Sequence, residues 1–301
     1  MSETTGKIPF THDGVTYETW YKVVGDLSTK NRPLVTLHGG PGISHHYMLP
    51  HTSFATSHHT PVIFYDQIGI GQSSHLKNVP PEFWTIELFM DELDNLLIYL
   101  GIRDDFDLVG HSWGAMLGAH YAAYRRPAGL KHLILVSGSA SMKLWAEGTN
   151  RLLDGMPEDL REMLKKHERE GTTDSKEYHD GTQIFYNKHV CPLVPWPELL
   201  LKSFGNMFED PTVYSTMIGP SEFNITGSLR TWSVVDKLHD ITSPTLVING
   251  QDDEAHDVGN WPFFTQIPRV KWVKFAQSAH MTFFEEPERY KEVVGEFLTN
   301  V

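Results

Sequence analysis

The sequence predicts an α/β fold: a mostly parallel central sheet flanked by helices, with a helical cap inserted into it. Three observations predict this. Short apolar runs bounded by turns alternate with helix-period stretches, as in a parallel sheet covered on both faces. A segment of about 90 residues, from Ser139 to Trp232, breaks that rhythm. The 301 residues suffice for one large α/β domain carrying such an insert. The expected division is a core of residues 1–138 and 233–301 and a helical cap of residues 139–232.

Pro9 to Val24 alternates apolar and polar residues around His12-Asp13-Gly14, a hairpin signal. Pro33–Leu37 and Pro61–Tyr65 read as short buried strands, ending at a Gly/Pro cluster and at Asp66. Leu88, Phe89, Leu93, Leu96, Leu97 and Leu100 recur at three- and four-residue spacing. That predicts a helix from about Thr85, with Gly101 closing it. Phe106–Val109 reads as a strand, Trp113–Arg125 as a helix and His132–Val136 as a strand. After the insert, Thr245–Ile248 and Val270–Phe275 read as strands and Glu288–Leu298 as a closing helix. Inside the insert, Arg151–Glu170 is charged and helical, Cys191–Pro197 is proline-rich, and Phe204–Phe223 is rich in aromatics and methionine.

Composition narrows the function. Lysine plus arginine total 25 against 38 acidic residues, a formal charge of −13. Such a chain repels phosphate backbones, so neither nucleic acid nor an anionic membrane is expected as a partner. The single cysteine, Cys191, excludes an internal disulfide and a thiolate zinc site. The polar start and the lack of an 18-residue apolar run predict no secretory signal and no membrane span, hence a cytoplasmic protein. His45, His46, His51, His58 and His59 form no recognisable metal motif and are read as loop and surface residues. No metal or other cofactor is expected.

Gly110-His-Ser112-Trp-Gly114 fits G-x-S-x-G and sits between a predicted strand and a predicted helix. That is the setting of a nucleophile elbow. The serine stands on a strained tight turn, and side chains at the flanking glycines would collide with the neighbouring strand and helix. The competing reading makes Ser112 a simple helix N-cap. A serine nucleophile needs a base, and in this architecture the acid and the histidine follow it on later strands. The last strand runs into Ala276-Gln-Ser-Ala-His280, which makes His280 the candidate base. The strand before it runs into Gly250-Gln-Asp-Asp-Glu254, where spacing alone admits Asp252 or Asp253 as the orienting acid.

Acyl transfer also needs backbone N–H groups aimed at the developing oxyanion. Trp113, after the nucleophile, supplies one. The first glycine-rich loop, His38-Gly-Gly-Pro-Gly42, is expected to supply the other from Gly40.

Together these segments resemble the proline iminopeptidase family of α/β-hydrolases, over nearly the whole chain. His38-Gly-Gly-Pro-Gly42, continuing to Tyr47, resembles the family's oxyanion loop. Tyr65-Asp-Gln-Ile-Gly-Ile-Gly-Gln-Ser73 resembles its Asp-Gln-x-Gly-x-Gly-x-Ser loop, Gly110–Gly114 its elbow, and Ser278-Ala-His280 its histidine loop. Gly250–Glu254 is similar to a segment in which the third residue after the glycine is the catalytic aspartate, which selects Asp253. Gly219-Pro-Ser-Glu222-Phe-Asn-Ile-Thr-Gly227 resembles a cap segment whose glutamate helps bind the substrate's free amine. The resemblance gives Glu254 the same role. Two positions depart from the pattern: Ile68, where the family often has arginine, and His111, where it often has a small residue.

The resemblance implies an α/β-hydrolase fold and a serine aminopeptidase or amidase. The substrate is a small molecule or short peptide with a free amine, its first residue proline or another small or apolar one. One alternative is an esterase or lactonase with the same three residues and no use for an amine. Another is a non-catalytic ligand-binding member of the fold. Aspartate at the Ser112 position would have pointed to an epoxide hydrolase or dehalogenase.

Overall fold

The computed structural model describes residues 2–299. Its strands are β1 (Glu3–His12), β2 (Val15–Val24), β3 (Leu34–Leu37), β4 (Val62–Tyr65), β5 (Phe106–His111), β6 (Leu130–Val136), β7 (Thr245–Gly250) and β8 (Val270–Phe275). They form one sheet in the order β1-β2-β4-β3-β5-β6-β7-β8. β1 and β2 pair antiparallel, β2 joins β4 antiparallel, and every later pair is parallel. Every residue of β3, β4, β5 and β7 is buried. This is why those strands read as continuous apolar runs rather than alternations.

The hairpin turn carries Asp13 at φ +50° and Gly14 at φ +77°, as a two-residue type I′ turn requires. β1 starts at Glu3 rather than at Pro9, pairing Glu3 with Val24. The side chains of Glu3, Thr4, Thr5 and Lys7 are exposed, so no apolar alternation marks that half of the strand.

Helices α1 (Ser53–Ser57), α2 (Ile86–Tyr99) and α3 (Trp113–Arg125) lie between the strands of the first half. The Thr85 hydroxyl accepts the Leu88 N–H at the start of α2 (3.2 Å), and Gly101 ends it at φ +69°.

Between β6 and β7 the chain runs through α4 (Met142–Asp154), α5 (Glu158–Glu170), α6 (Lys176–His189), α7 (Glu198–Glu209) and α8 (Thr212–Met217). The charged stretch expected as one helix is two, α4 and α5, divided at Gly155-Met-Pro157. Proline lacks the N–H a helix interior needs and is tolerated at a helix start. This segment has its own small core of Leu153, Leu160, Leu164, Tyr178, Phe185 and Phe223. A single bridge between Ser141 and Ser233 joins its two ends.

Helix α9 (Asp257–Gln266) fills the gap between β7 and β8 and was not expected. It contains Gly259 and Pro262 and exposes Trp261 and Phe264, so it has no clear apolar face. The one-turn α10 (Thr282–Glu285) and α11 (Pro287–Thr299) close the chain. Among the described residues, no helix is long and apolar enough to cross a membrane.

Candidate active site

Ser112 stands at the turn from β5 into α3 with φ +57° and ψ −121°. A non-glycine residue there is strained, and such strain persists only where surrounding structure enforces it. Its side chain makes no capping hydrogen bond, so the N-cap reading fails. The flanking glycines are enforced by backbone contact. A Cβ on Gly110 would lie 2.1 Å from the Gly114 carbonyl oxygen, and one on Gly114 would lie 2.1 Å from the Leu37 carbonyl oxygen. Neither obstacle is a flexible side-chain tip. Gly114→Ala is therefore expected to lower stability by about 1–3 kcal/mol, the usual cost of overpacking. Thermal unfolding measures this, and an unchanged midpoint would contradict the contact.

His280 follows β8, and its Nδ1 lies 2.7 Å from Asp253 Oδ1. The same carboxylate accepts the Ala255 N–H (2.8 Å), the Gly250 N–H (3.1 Å) and the Ser137 hydroxyl (2.7 Å). Four donors thus surround a charge with 2% exposure, which offsets its desolvation. Asp252 points to solvent; of the two aspartates only Asp253 reaches the histidine. Backbone N–H groups on both sides of His280, from Ala279 and Met281, donate to Glu285. Burial pushes that carboxyl up to about 7, against the pull of the Ala279 hydrogen bond.

Gly40 sits at φ +108°, a conformation that favours glycine. Trp113 is the first residue of α3, so its N–H has no partner inside the helix. Gln67 braces both neighbourhoods: its amide donates to the His38 carbonyl (3.1 Å) and accepts the Trp113 indole N–H (2.9 Å). This gives the Asp-Gln-x-Gly-x-Gly-x-Ser loop a physical task.

One cavity brings most of the candidates together. Gly40, Ser112, Glu222, Glu254 and His280 all line it. Asp253 stands behind His280 and Trp113 lies below the turn, both outside the lining. Tyr186, Leu200, Phe204, Met207 and Tyr214 supply the apolar wall from the helical segment. Phe208 is instead 66% exposed, and the Trp232 indole donates to His120 (3.1 Å).

Glu254 is buried and Glu222 half-buried around this cavity. The Tyr214 hydroxyl donates to Glu222 Oε1 at 2.8 Å. Glu254 Oε1 lies 3.5 Å from His280 Nε2, and Glu254 Oε2 is buried with no hydrogen-bond partner. Burial, and secondarily the charges of Glu222 and Asp253, push the Glu254 carboxyl well above its ordinary range. Burial pushes Glu222 up to about 7, with the Tyr214 hydrogen bond opposing. Two desolvated carboxylates side by side repel, and a cation between them removes the conflict.

The helical segment is stitched to the loop that follows β3. The Ser44 hydroxyl donates to Asn206 Oδ1 (2.9 Å), and the Ser203 hydroxyl bridges the Ser44 carbonyl and the Tyr47 N–H, each at 3.0 Å. Further along, His75 Nδ1 meets Asp210 at 2.5 Å while Nε2 meets the Gly71 carbonyl at 3.0 Å. Both partners only accept, so both ring nitrogens donate and His75 is an imidazolium.

The reading of His45, His46, His51, His58 and His59 as loop and surface residues is corrected for two of them. His45 is buried and its Nδ1 donates to Asp66 (2.7 Å). His51 is buried between the Met48 carbonyl and the Tyr290 hydroxyl, each at 2.8 Å. Histidine can be both donor and acceptor, so it can satisfy buried groups at two ends. Residues that sequence reasoning did not single out also surround the site: Tyr47, Ser137 and Glu285. His111 had appeared only as a departure from a motif, the one signal that pointed to it.

A family model described as alpha/beta hydrolase fold matches residues 32–287. A proline iminopeptidase from Lactobacillus delbrueckii subsp. lactis is 34% identical over 285 residues, covering 94% of this chain and 95% of the relative. The chain belongs to the proline iminopeptidase family of α/β-hydrolases. A crystal structure of a family member, the proline iminopeptidase of Mycobacterium smegmatis, superposes with a TM-score of 0.90 at 40% identity, covering 98% of this chain and 97% of that one. The crystal structure of VinJ superposes with a TM-score of 0.94 at 47% identity, covering 98% of both chains.

Proposed function

We propose that the protein is a serine aminopeptidase that releases the N-terminal residue, proline or another small or apolar one, from short peptides or amino-acid amides. The observation that carries this reading is the pair Glu222 and Glu254. Both carboxylates line the same cavity as Ser112, Glu254 buried and Glu222 half-buried, and one Glu254 oxygen lacks any partner. A substrate ammonium satisfies that oxygen by a charge-assisted hydrogen bond.

In this mechanism the ammonium anchors the first residue and presents its carbonyl to Ser112. Ser112 Oγ attacks the carbonyl carbon while His280 Nε2 takes the hydroxyl proton. Asp253 holds Nδ1–H, fixing the tautomer and stabilising the imidazolium that forms. The N–H groups of Gly40 and Trp113 hold the tetrahedral oxyanion. Collapse breaks the C–N bond, and His280 returns its proton to the leaving amine. Water then repeats the sequence on the acyl-enzyme, freeing the amino acid. The helical segment over the cavity suits short chains better than folded proteins.

The test compares proline, alanine and phenylalanine anilides with free and N-acetylated amines, beside a simple ester. Acetylation is expected to lower kcat/KM by roughly a hundredfold or more, because it leaves Glu222 and Glu254 without a cation. Equal rates on free and blocked substrates would reject the amine site and favour an ordinary esterase.

A further inference from the structure

His111 precedes Ser112 and is 1% exposed. Both of its ring nitrogens are engaged. Nδ1 lies 2.9 Å from the Tyr47 hydroxyl and Nε2 lies 2.9 Å from the His280 carbonyl oxygen. The Tyr47 hydroxyl also accepts the Gly39 N–H at 2.6 Å.

These contacts, with the burial of the ring, set the proton positions. The Tyr47 oxygen accepts the Gly39 N–H on one side and keeps its own proton, which it donates to His111 Nδ1 when that nitrogen is unprotonated. The His280 carbonyl only accepts, so Nε2 carries the proton. His111 is therefore neutral, with its hydrogen on Nε2. Burial, which drives its basicity well below the ordinary value, acts in the same direction. The resulting chain runs from the Gly39 N–H through Tyr47 and His111 to the carbonyl of His280.

We propose that His111 is a positioning residue that holds the oxyanion loop, the nucleophile and the His280 loop in mutual register. The inference rests on the roles assigned above to Ser112 and His280. Its chain touches each part of the site once: Gly39 adjoins the donor Gly40, His111 adjoins Ser112, and the acceptor belongs to His280 itself. None of these three segments is near the others in sequence, so side chains must fix their spacing. The site needs that spacing held within about half an ångström. The ring also packs edge-on against His280 at 4.6 Å between centroids and against Phe283 at 5.2 Å. A pure space-filling role is the competing explanation, and an apolar ring of similar size separates the two.

The experiment measures kcat, KM and thermal midpoint for wild type, His111→Phe, His111→Gln and Ser112→Ala on one free-amine anilide. His111→Phe keeps the ring and removes both hydrogen bonds. It is expected to lower kcat by about tenfold with KM within about twofold of wild type. Glutamine carries an acceptor and a donor on one side chain, so His111→Gln is expected to recover kcat to within about threefold of wild type. Wild-type kcat in His111→Phe, or no recovery in His111→Gln, overturns the positioning role while an inactive Ser112→Ala leaves the serine mechanism standing. An active Ser112→Ala overturns the reading beneath it. Should His111→Phe fail to fold, Tyr47→Phe breaks the same chain one link earlier. A fall in kcat then supports the inference, and unchanged kcat overturns it.

Discussion

Replacing Ser112 by alanine is expected to lower kcat by on the order of 10⁴- to 10⁶-fold while leaving the fold intact. The two halves of this result have separate causes. The serine hydroxyl makes no capping hydrogen bond, so its removal takes away no structural contact at the helix start. Alanine faces the same strained φ that serine already occupies, so the turn gains no new conflict. What disappears is the attacking oxygen. The residual rate reflects the two N–H donors and substrate binding, which continue to favour the tetrahedral state. A fluorophosphonate probe reports the same difference directly: wild type should label once, at Ser112, and the alanine variant should not label. Substantial residual turnover with an unchanged thermal midpoint would move the nucleophile elsewhere.

Glu222→Gln has the second largest expected effect. Gln keeps an oxygen for the Tyr214 hydroxyl, which donates to Glu222 at 2.8 Å, so the local packing survives. In the proposed amine site, however, the substrate ammonium loses one of two anionic partners. Removing one member of such a pair costs about 2–5 kcal/mol, roughly 30- to several-thousand-fold in kcat/KM. The loss should fall on free-amine substrates and spare N-acetylated ones. Glu254 is a less clean target because its Oε1 also lies 3.5 Å from His280 Nε2. The pH dependence has a definite sign. Burial pushes the Glu222 carboxyl up to about 7 in the free protein, so below that pH it is protonated and must release a proton to take an ammonium. KM for free-amine substrates should therefore fall as pH rises toward 7. It should rise again when the substrate's own amine, near 8, loses its proton. In Glu222→Gln the limb near 7 should weaken or move. Identical KM–pH profiles in the two proteins would remove Glu222 from the amine site.

The parallel half of the sheet is legible in the sequence because burial on both faces leaves an unbroken apolar run in each strand. The first half of β1 is not, because Glu3 to Lys7 pair through the backbone with their side chains largely in water. The break between α4 and α5 is signalled by Gly155 and Pro157, yet the charged periodicity on either side obscures it. Ser112 and His280 are legible from their places after particular strands. Asp252 and Asp253 are adjacent, and position cannot separate them. In three dimensions one points to solvent and the other accepts four hydrogen bonds. Tyr47 and His111 are illegible for a different reason. Their partners lie at residues 39 and 280, and only the folded chain makes those positions neighbours. The buried His45 and His51 belong to the same class.

The seam between α7 and the glycine-rich loop after β3 limits how far the helical segment can be treated as an exchangeable module. Asn206 and Ser203 bond to Ser44 and to the backbone of Tyr47, and Tyr47 in turn holds Gly39. The helix that walls the cavity therefore also scaffolds the loop that bears Gly40. Grafting the corresponding helical segment of a relative onto this sheet would have to carry residues 44, 203 and 206 together. A graft that changed the pocket wall without them would retune substrate choice and disturb rate in the same stroke.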